Sequence, residues 1–298
     1  MSPWRESWGA PDDGRGGGMP PGGVRFAAPR MTPMVKQIML VTAGAFLAHW
    51  FLSLFSPQAA SAVGRFFGLN PEAGFTSWLT PLPMLWQLLT YGLLHALGDL
   101  GHIFWNMLTL YFLGVMLEEV IGSRRFLVHY MASVAVAGVF SLAFKFLLGV
   151  QIPTVGASGG VAGVVVAIAT LQPKRTILLL VFPVTLMMLA ILRVGADFFY
   201  GITVVAAHLR GEGVLSSADH FAHIGGAVYG FLAVKRQWIW RDPIAMVEAK
   251  RALAAQNKAA GDARRMDELL ERIHKEGMTS LSERERAFLR RMSKRDAD

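Results

Sequence analysis

A single hydroxyl lies at the centre of a run of small residues, Gly156-Ala157-Ser158-Gly159-Gly160. Apolar, helix-like patterns lie on both sides of this run. A serine in such a turn is often only structural, but neighbouring glycines also let other backbone groups approach it closely. Because a serine hydroxyl barely ionises by itself, a nucleophilic Ser158 would need an adjacent base.

Two histidines and an asparagine lie at the beginnings of other apolar segments. His102 and Asn106 open one segment and are four residues apart, so they share a face of a helix. His223 lies near the start of another segment. Ionisable groups within membrane segments are costly and usually functional. These residues are therefore the candidates for chemistry beside Ser158.

The composition predicts a membrane protein. Of the 298 residues, 53% are hydrophobic and only 17% are charged, against about a quarter in soluble domains. The absence of cysteine excludes disulfides and cysteine metal sites. The net charge of +8 comes mainly from the chain ends and short loops, as membrane topology requires. Nucleic-acid binding is therefore not predicted, and the lipid bilayer is the expected environment.

The apolar segments predict an all-α bundle of six transmembrane helices. The predicted spans are residues 34–55, 102–120, 126–148, 158–171, 184–206 and 219–234. Clusters of Lys and Arg place both chain ends on the cytoplasmic side. The starts of the second, fourth and sixth spans then lie at similar depth on the opposite side, which brings Ser158, His223, His102 and Asn106 together.

Three parts are predicted along the chain. Residues 1–33 are rich in Gly and Pro and lack the apolar core of a signal peptide, which predicts a disordered cytoplasmic arm. Residues 34–240 form the membrane domain, in which 56–101 is an interfacial loop and the stretch before Val184 is a return loop or a partly buried segment. Residues 241–298 form a cytoplasmic helical tail. Arg193 and Asp197 can pair within the fifth span.

Two pairs of glycines predict how the fourth and sixth helices pack. Gly159 and Gly163 lie on one helix, and Gly226 and Gly230 lie on the other. Small residues spaced by four let helix backbones approach closely in lipid. The fourth helix is also only about 20 Å long, so its Ser158 end should lie below the membrane surface in a water-filled pocket.

Three motifs together resemble the signatures of the rhomboid family of intramembrane serine proteases. They are His102-Ile-Phe-Trp-Asn106, Gly156-Ala-Ser158-Gly and Ala222-His223-Ile-Gly-Gly226. The resemblance implies a six-helix bundle with a serine–histidine dyad and no third acid. It implies Ser158 as nucleophile and His223 as general base. It also implies His102, Asn106 and the Ser158 N–H as oxyanion donors, and transmembrane proteins as substrates.

Further details of the chain agree with this resemblance or depart from it. Many family members carry an aromatic ring four residues after the nucleophile, stacked on the base, where this chain has Ala162. Asp219 could orient His223, although capping the sixth helix is the favoured interpretation. The tail resembles a C-terminal segment of some bacterial rhomboids, which implies a bacterial inner membrane.

Other functional classes are weighed against a protease. A catalytically inactive rhomboid-like protein would bind transmembrane client helices, but such proteins typically lack the serine or the base. A transporter would show internal repeats or broken helices in paired halves. A metal site on His102 and His223 has no fitting carboxylates, and no cofactor is predicted. The other histidines are interpreted as structural or interfacial; they are His49, His95, His129, His208 and His220.

Overall fold

The computed structural model describes residues 30–71, 76–77, 80–83, 85–150, 152–179, 182–212 and 219–295. Of the predicted arm, residues 1–33, the part up to position 29 lies outside the described residues. Residues Met31–Asp298 form one compact unit, to which the following description applies.

Helices account for most of the described chain. They are α1 (Pro33–Phe55), α2 (Pro57–Phe67), α3 (Gln87–Thr90), α4 (Leu100–Thr109), α5 (Val115–Ile121), α6 (Ser123–Leu148), α7 (Ser158–Leu171), α8 (Leu186–Leu209), α9 (His220–Lys235), α10 (Pro243–Glu276) and α11 (Glu283–Arg295). A π-helical turn, Leu110–Gly114, joins α4 to α5 in one continuous helix, and 3-10 turns follow α9 and α10. The strands β1 (Thr76–Ser77), β2 (Thr80–Pro83), β3 (Thr176–Leu179) and β4 (Phe182–Thr185) form two antiparallel hairpins.

Four helical runs in the described chain are long and apolar enough to cross a membrane: α1, the α4–α5 run Leu100–Ile121, α6 and α8. The helices α7 and α9, with 14 and 16 residues, are shorter and pack among them. The prediction of an all-α membrane bundle is confirmed. The helix bounds differ from the predicted spans by a few residues at several ends, since helix ends depend on caps that a hydropathy pattern does not show.

Two of the predicted loops contain regular secondary structure. The stretch before Val184 forms the β3–β4 hairpin, in which Thr176 pairs with Thr185. Pro183 fits there because a two-stranded hairpin leaves edge positions that need no N–H donor. The fifth helix therefore begins at Leu186, where the Thr185 hydroxyl caps it by accepting the Met188 N–H at 3.2 Å. The interfacial loop 56–101 contains α2, α3 and the β1–β2 hairpin.

The helix α7 forms the centre of the bundle and is apolar on all sides, as a fully enclosed helix must be. On one side it meets α9: a Cβ added to Gly226 would overlap the carbonyl oxygen of Gly159, and one on Gly230 that of Gly163. On the other side it meets α6, where a Cβ on Gly159 would lie 2.5 Å from the Ala137 Cβ. The backbone of α7 is therefore held between two neighbours that leave no room for a side chain.

A buried carboxylate joins the first helix to the bundle. Glu118, on α5, accepts the N–H groups of Met34 and Val35 in the first turn of α1 at 3.0 and 2.8 Å. It also accepts the Ser123 hydroxyl at the start of α6. These bonds satisfy N–H groups at a helix start that have no intrahelical partner, so Glu118 fixes where α1 packs.

The tail forms a helical hairpin of α10 and α11. Gly277, at a φ of 80°, ends α10, and Ser282 and Glu285 form a reciprocal capping box at the start of α11. Leu269, Leu281 and Phe288 form a small core between the two helices.

Candidate active site

The turn before α7 places Ser158 at a helix start. Gly156 adopts a φ of +133°, a conformation that favours glycine, and its N–H donates to the Tyr91 carbonyl oxygen at 3.0 Å. A Cβ at Gly156 would lie 2.6 Å from the His102 ring. Ser158 is the first residue of α7, so its N–H belongs to the helix-start donors without intrahelical acceptors. The glycine thus brings an imidazole beside the serine.

The structure brings Ser158 and His223 into hydrogen-bonding contact. The Ser158 Oγ lies 2.7 Å from the His223 Nε2. His223 is in the first turn of α9, one turn before Gly226, and is 7% exposed. The close α7–α9 packing at the glycines therefore sets the distance between the hydroxyl and the imidazole. A neutral imidazole at this distance can accept the hydroxyl proton.

His102 and Asn106 also lie at this end of the bundle. Asp99 caps α4 by accepting the His102 backbone N–H at 3.1 Å. The His102 ring packs over Gly156 on the same side as the serine Oγ. Asn106 is buried, and its Nδ2 lies 3.2 Å from the Nε2 of His95. An amide nitrogen carries two protons, so Asn106 can donate one of them to the His95 Nε2 and has the other for a second acceptor.

His95 belongs to this site, although the sequence interpretation treated it as structural or interfacial. It lies in the loop before α4, is 1% exposed, and its Nε2 accepts the Ala157 N–H at 3.4 Å. Burial, together with the neighbouring His102, lowers the pKa of His95 to about 4. His95 is therefore neutral at ordinary pH, and the lone pair of its Nε2 is shared between the Asn106 and Ala157 donors. Its tie to Ala157 arises from loop packing, which no local motif indicates.

A carboxylate lies behind His223, which the resemblance did not lead us to expect. The Asp197 Oδ1, on α8, lies 2.8 Å from the His223 Nδ1 and 2.9 Å from the His220 Nδ1. The Asp197 Oδ2 pairs with the Arg193 guanidinium at 2.8 Å. The structure therefore places a carboxylate next to the base, where the resemblance implied no third acid. His220, interpreted as structural or interfacial, also joins the cluster.

The sequence did contain a signal for this cluster. Arg193 and Asp197 form the i,i+4 pair within the fifth span, and ionisable groups at membrane depth usually mark functional positions. The sequence does not show how α8 is rotated about its axis, and this rotation directs the Asp197 side chain towards α9.

The carboxylate of Asp219 faces α6 and not the imidazole of His223. Its Oδ1 accepts the Ala222 N–H at 3.0 Å, so it caps α9 as favoured. Its Oδ2 forms a salt bridge with Lys145 at 3.0 Å and contacts the hydroxyls of Ser141 and Thr154. This buried cluster ties the end of α6, the loop before α7 and the start of α9 together.

Ala162 is buried on α7 and is 5% exposed. Its methyl group offers no aromatic face, so the imidazole of His223 must be oriented from another side. Tyr229, further along α9, packs against His129 with ring centroids 5.4 Å apart.

Comparisons with known proteins identify two regions of the chain. The family model for the Rhomboid domain matches residues 82–237, and a family of unknown function, DUF6576, matches residues 257–295. "Rhomboid protein 1, mitochondrial" of Saccharomyces cerevisiae is 34% identical over 137 residues, which are 45% of this chain and 37% of that protein.

Two further relatives extend the comparison. "Rhomboid protease GluP" of Bacillus subtilis is 28% identical over 149 residues, covering 50% of this chain and 25% of that protein. "RHOMBOID-like protein 1" of Arabidopsis thaliana is 32% identical over 221 residues, covering 67% of this chain and 51% of that protein. The chain thus spans a quarter to about half of the length of these relatives.

Proposed function

Because this chain belongs to the rhomboid family, we propose that it is an intramembrane serine endopeptidase that cleaves transmembrane protein substrates. The observation that carries the proposal is the 2.7 Å contact between the Ser158 Oγ and the His223 Nε2. The contact lies at the N-terminal end of a short helix within a bundle of helices long and apolar enough to cross a membrane. A nucleophile and a base in this geometry are what acyl transfer requires.

The mechanism follows the general serine template. A substrate helix that has locally unwound presents a carbonyl carbon to the Ser158 Oγ. The His223 Nε2 takes the hydroxyl proton as the Oγ–carbon bond forms. The same nitrogen then protonates the leaving amine, and the peptide C–N bond breaks. Water, deprotonated by His223, hydrolyses the acyl-enzyme and regenerates the serine.

The developing oxyanion needs donors that are in place before the reaction. The Ser158 N–H, the second Nδ2 proton of Asn106 and the His102 imidazole are the proposed donors. Removal of one such donor typically costs about 3 kcal/mol of transition-state stabilisation. His95 contributes indirectly, since its bonds to Asn106 and to the Ala157 N–H fix the groups on both sides of the oxyanion position.

Four long apolar helices and the family match make the chain an integral membrane protein. Cytoplasmic chain ends and a bacterial inner membrane remain predictions from the distribution of basic residues and from the tail. The name of the Saccharomyces relative assigns that protein to mitochondria, so the choice of membrane needs its own measurement, by fractionation of the native cells.

Cleavage of a model transmembrane substrate in liposomes tests the function. Ser158→Ala and His223→Ala should each lower the cleavage rate by at least about a thousandfold. Ser61→Ala on α2 and His208→Ala at the end of α8 are matched controls, because both side chains are exposed. Undiminished cleavage by either site variant would overturn the dyad.

Binding and labelling measurements on the same protein distinguish the protease from the alternative of an inactive rhomboid-like protein. An inactive protein would bind transmembrane client helices without cutting them. Wild-type protein that binds a panel of transmembrane segments, leaves all of them intact, and fails to react with a serine-directed phosphonate probe would favour that alternative. Reaction of the probe with Ser158 would instead support the protease.

A further inference from the structure

His223 has two groups competing for its Nδ1 nitrogen. The Asp197 Oδ1 lies 2.8 Å away and the Arg193 Nη2 lies 3.0 Å away. A neutral imidazole carries one proton, so its Nδ1 either donates to the carboxylate or accepts from the guanidinium. The two cases give opposite chemistry at the other nitrogen, 2.7 Å from the Ser158 Oγ.

The tautomer decides whether His223 can act as a base. With the proton on Nδ1, the Nε2 lone pair faces the Ser158 hydroxyl and can accept its proton. With the proton on Nε2, that nitrogen donates to the serine and cannot take a proton from it. A carboxylate 2.8 Å from Nδ1 disfavours the second case, since two acceptors would then face each other without a proton between them.

Burial favours Asp197 over Arg193 in this competition. The side chain of Asp197 is 2% exposed, whereas that of Arg193 is 43% exposed. The enclosed carboxylate is held in place beside the imidazole, whereas the more exposed guanidinium has five N–H donors and can turn others than the one facing Nδ1 towards the carboxylate. Arg193 still reaches the far carboxylate oxygen at 2.8 Å, which compensates the buried negative charge at membrane depth.

We propose that Asp197 is the positioning residue for His223: it holds the imidazole in the tautomer with Nδ1 protonated and fixes the plane of its ring. This role rests on the proposed protease function. It also supplies an orienting group in a chain whose Ala162 cannot stack on the base. The site therefore works as a triad built from three helices, in which α7 carries the serine, α9 the histidine and α8 the acid.

The same atoms could instead be read as a metal site, because ligand atoms of Asp197, His220 and His223 lie within 4.8 Å of one another. The guanidinium of Arg193 brings a positive charge into this cluster, within 3.0 Å of both Asp197 and His223. A bound cation would be repelled there, and protons already account for the short contacts. The hydrogen-bonded arrangement is the one the charges favour.

The test combines a tautomer measurement with kinetics. Nitrogen NMR on protein carrying isotope-labelled histidine, in micelles, reports which nitrogen of His223 is protonated, and His223→Ala assigns the signal. At a pH where the histidine spectrum no longer changes, wild type should carry the proton on Nδ1. Asp197→Asn should lose at least half of that population, because an amide can donate to Nδ1.

Kinetics should show a split between kcat and KM. Asp197→Asn should lower kcat by roughly 10²–10⁴-fold, with KM within about threefold of wild type, since the carboxylate does not touch the substrate. Asp267→Asn, exposed on α10, is the matched control and should change neither constant. A proton on Nε2 in wild type, or an Asp197→Asn variant with unchanged tautomer and kcat, would overturn the proposal. The NMR result stands even if wild type cleaves nothing, so failure of the protease function is seen separately.

Discussion

The contact between α7 and α9 can be disturbed by one methyl group at Gly226. A Cβ there would overlap the carbonyl oxygen of Gly159, and α7 cannot retreat because Gly159 is itself pressed against Ala137 of α6. Overpacking of this kind costs roughly 1–3 kcal/mol. Since the obstacle is backbone rather than a flexible side chain, we expect the cost of Gly226→Ala to lie at the upper end of this range. That cost corresponds to a loss of roughly 5–10 °C in Tm.

The larger effect should be on catalysis. Because α9 must move, His223, three residues before Gly226, moves with it relative to Ser158. A displacement of about 1 Å between reacting groups can cost about a hundredfold in rate. We therefore expect Gly226→Ala to lower kcat by about that factor, measured on a transmembrane substrate in liposomes at a temperature well below its Tm.

The matched control for this experiment is Gly44→Ala. Gly44 lies on the membrane helix α1, and a Cβ there would meet nothing within 4 Å. This variant should keep the wild-type kcat and Tm, because it adds the same methyl group to a spanning helix without a collision. If Gly226→Ala also behaved like wild type in both measurements, the glycine contact could not be what sets the distance between serine and histidine.

Three other changes test separate parts of the structure. Asp219→Asn leaves the buried ammonium of Lys145 without its counter-charge, which should cost about 3–5 kcal/mol and appear as a lower Tm. Burial lowers the pKa of His95 to about 4 from about 6.5 in the unfolded chain, so the unfolded state binds the proton more tightly. The free energy of unfolding should be highest above about pH 6.5 and fall by up to about 3 kcal/mol towards pH 4. Thermal unfolding should show a smaller loss over this pH range in His95→Gln. Phe288→Ala, in the core of the tail hairpin, should cost that hairpin about 3 kcal/mol; hydrogen exchange in α11 should rise while substrate cleavage stays unchanged.

The helix that carries Ser158 could be predicted closely, and the reason is local. Gly156 precedes it, Gln172-Pro173 follows it, and the observed helix runs Ser158–Leu171, where the sequence indicated an end near Leu171. The glycine spacing also predicted which faces of the fourth and sixth helices meet. These features depend on residues within a turn or two of one another, where sequence pattern and backbone geometry are closely linked.

The groups that sequence reasoning missed depend on contacts between distant segments. Asp197 is 26 residues from His223, and its role depends on the rotation of α8 about its own axis. Apart from Arg193 and Asp197, the middle of that helix is apolar, so hydrophobic periodicity does not define the rotation. His95 is 62 residues from the Ala157 N–H that it accepts. Such contacts follow from how helices and loops pack, which a single sequence does not encode locally.

Two separate constraints therefore act on the same imidazole, and they can be separated by experiment. The glycine contact between α7 and α9 sets the distance from the His223 Nε2 to the Ser158 Oγ, while Asp197 on α8 sets the tautomer and the plane of the ring. Gly226→Ala should lower kcat while the proton stays on Nδ1, whereas Asp197→Asn should lower kcat and move the proton. If Gly226→Ala also moved the proton from Nδ1, α8 and α9 would shift as one unit and the two constraints would not be independent.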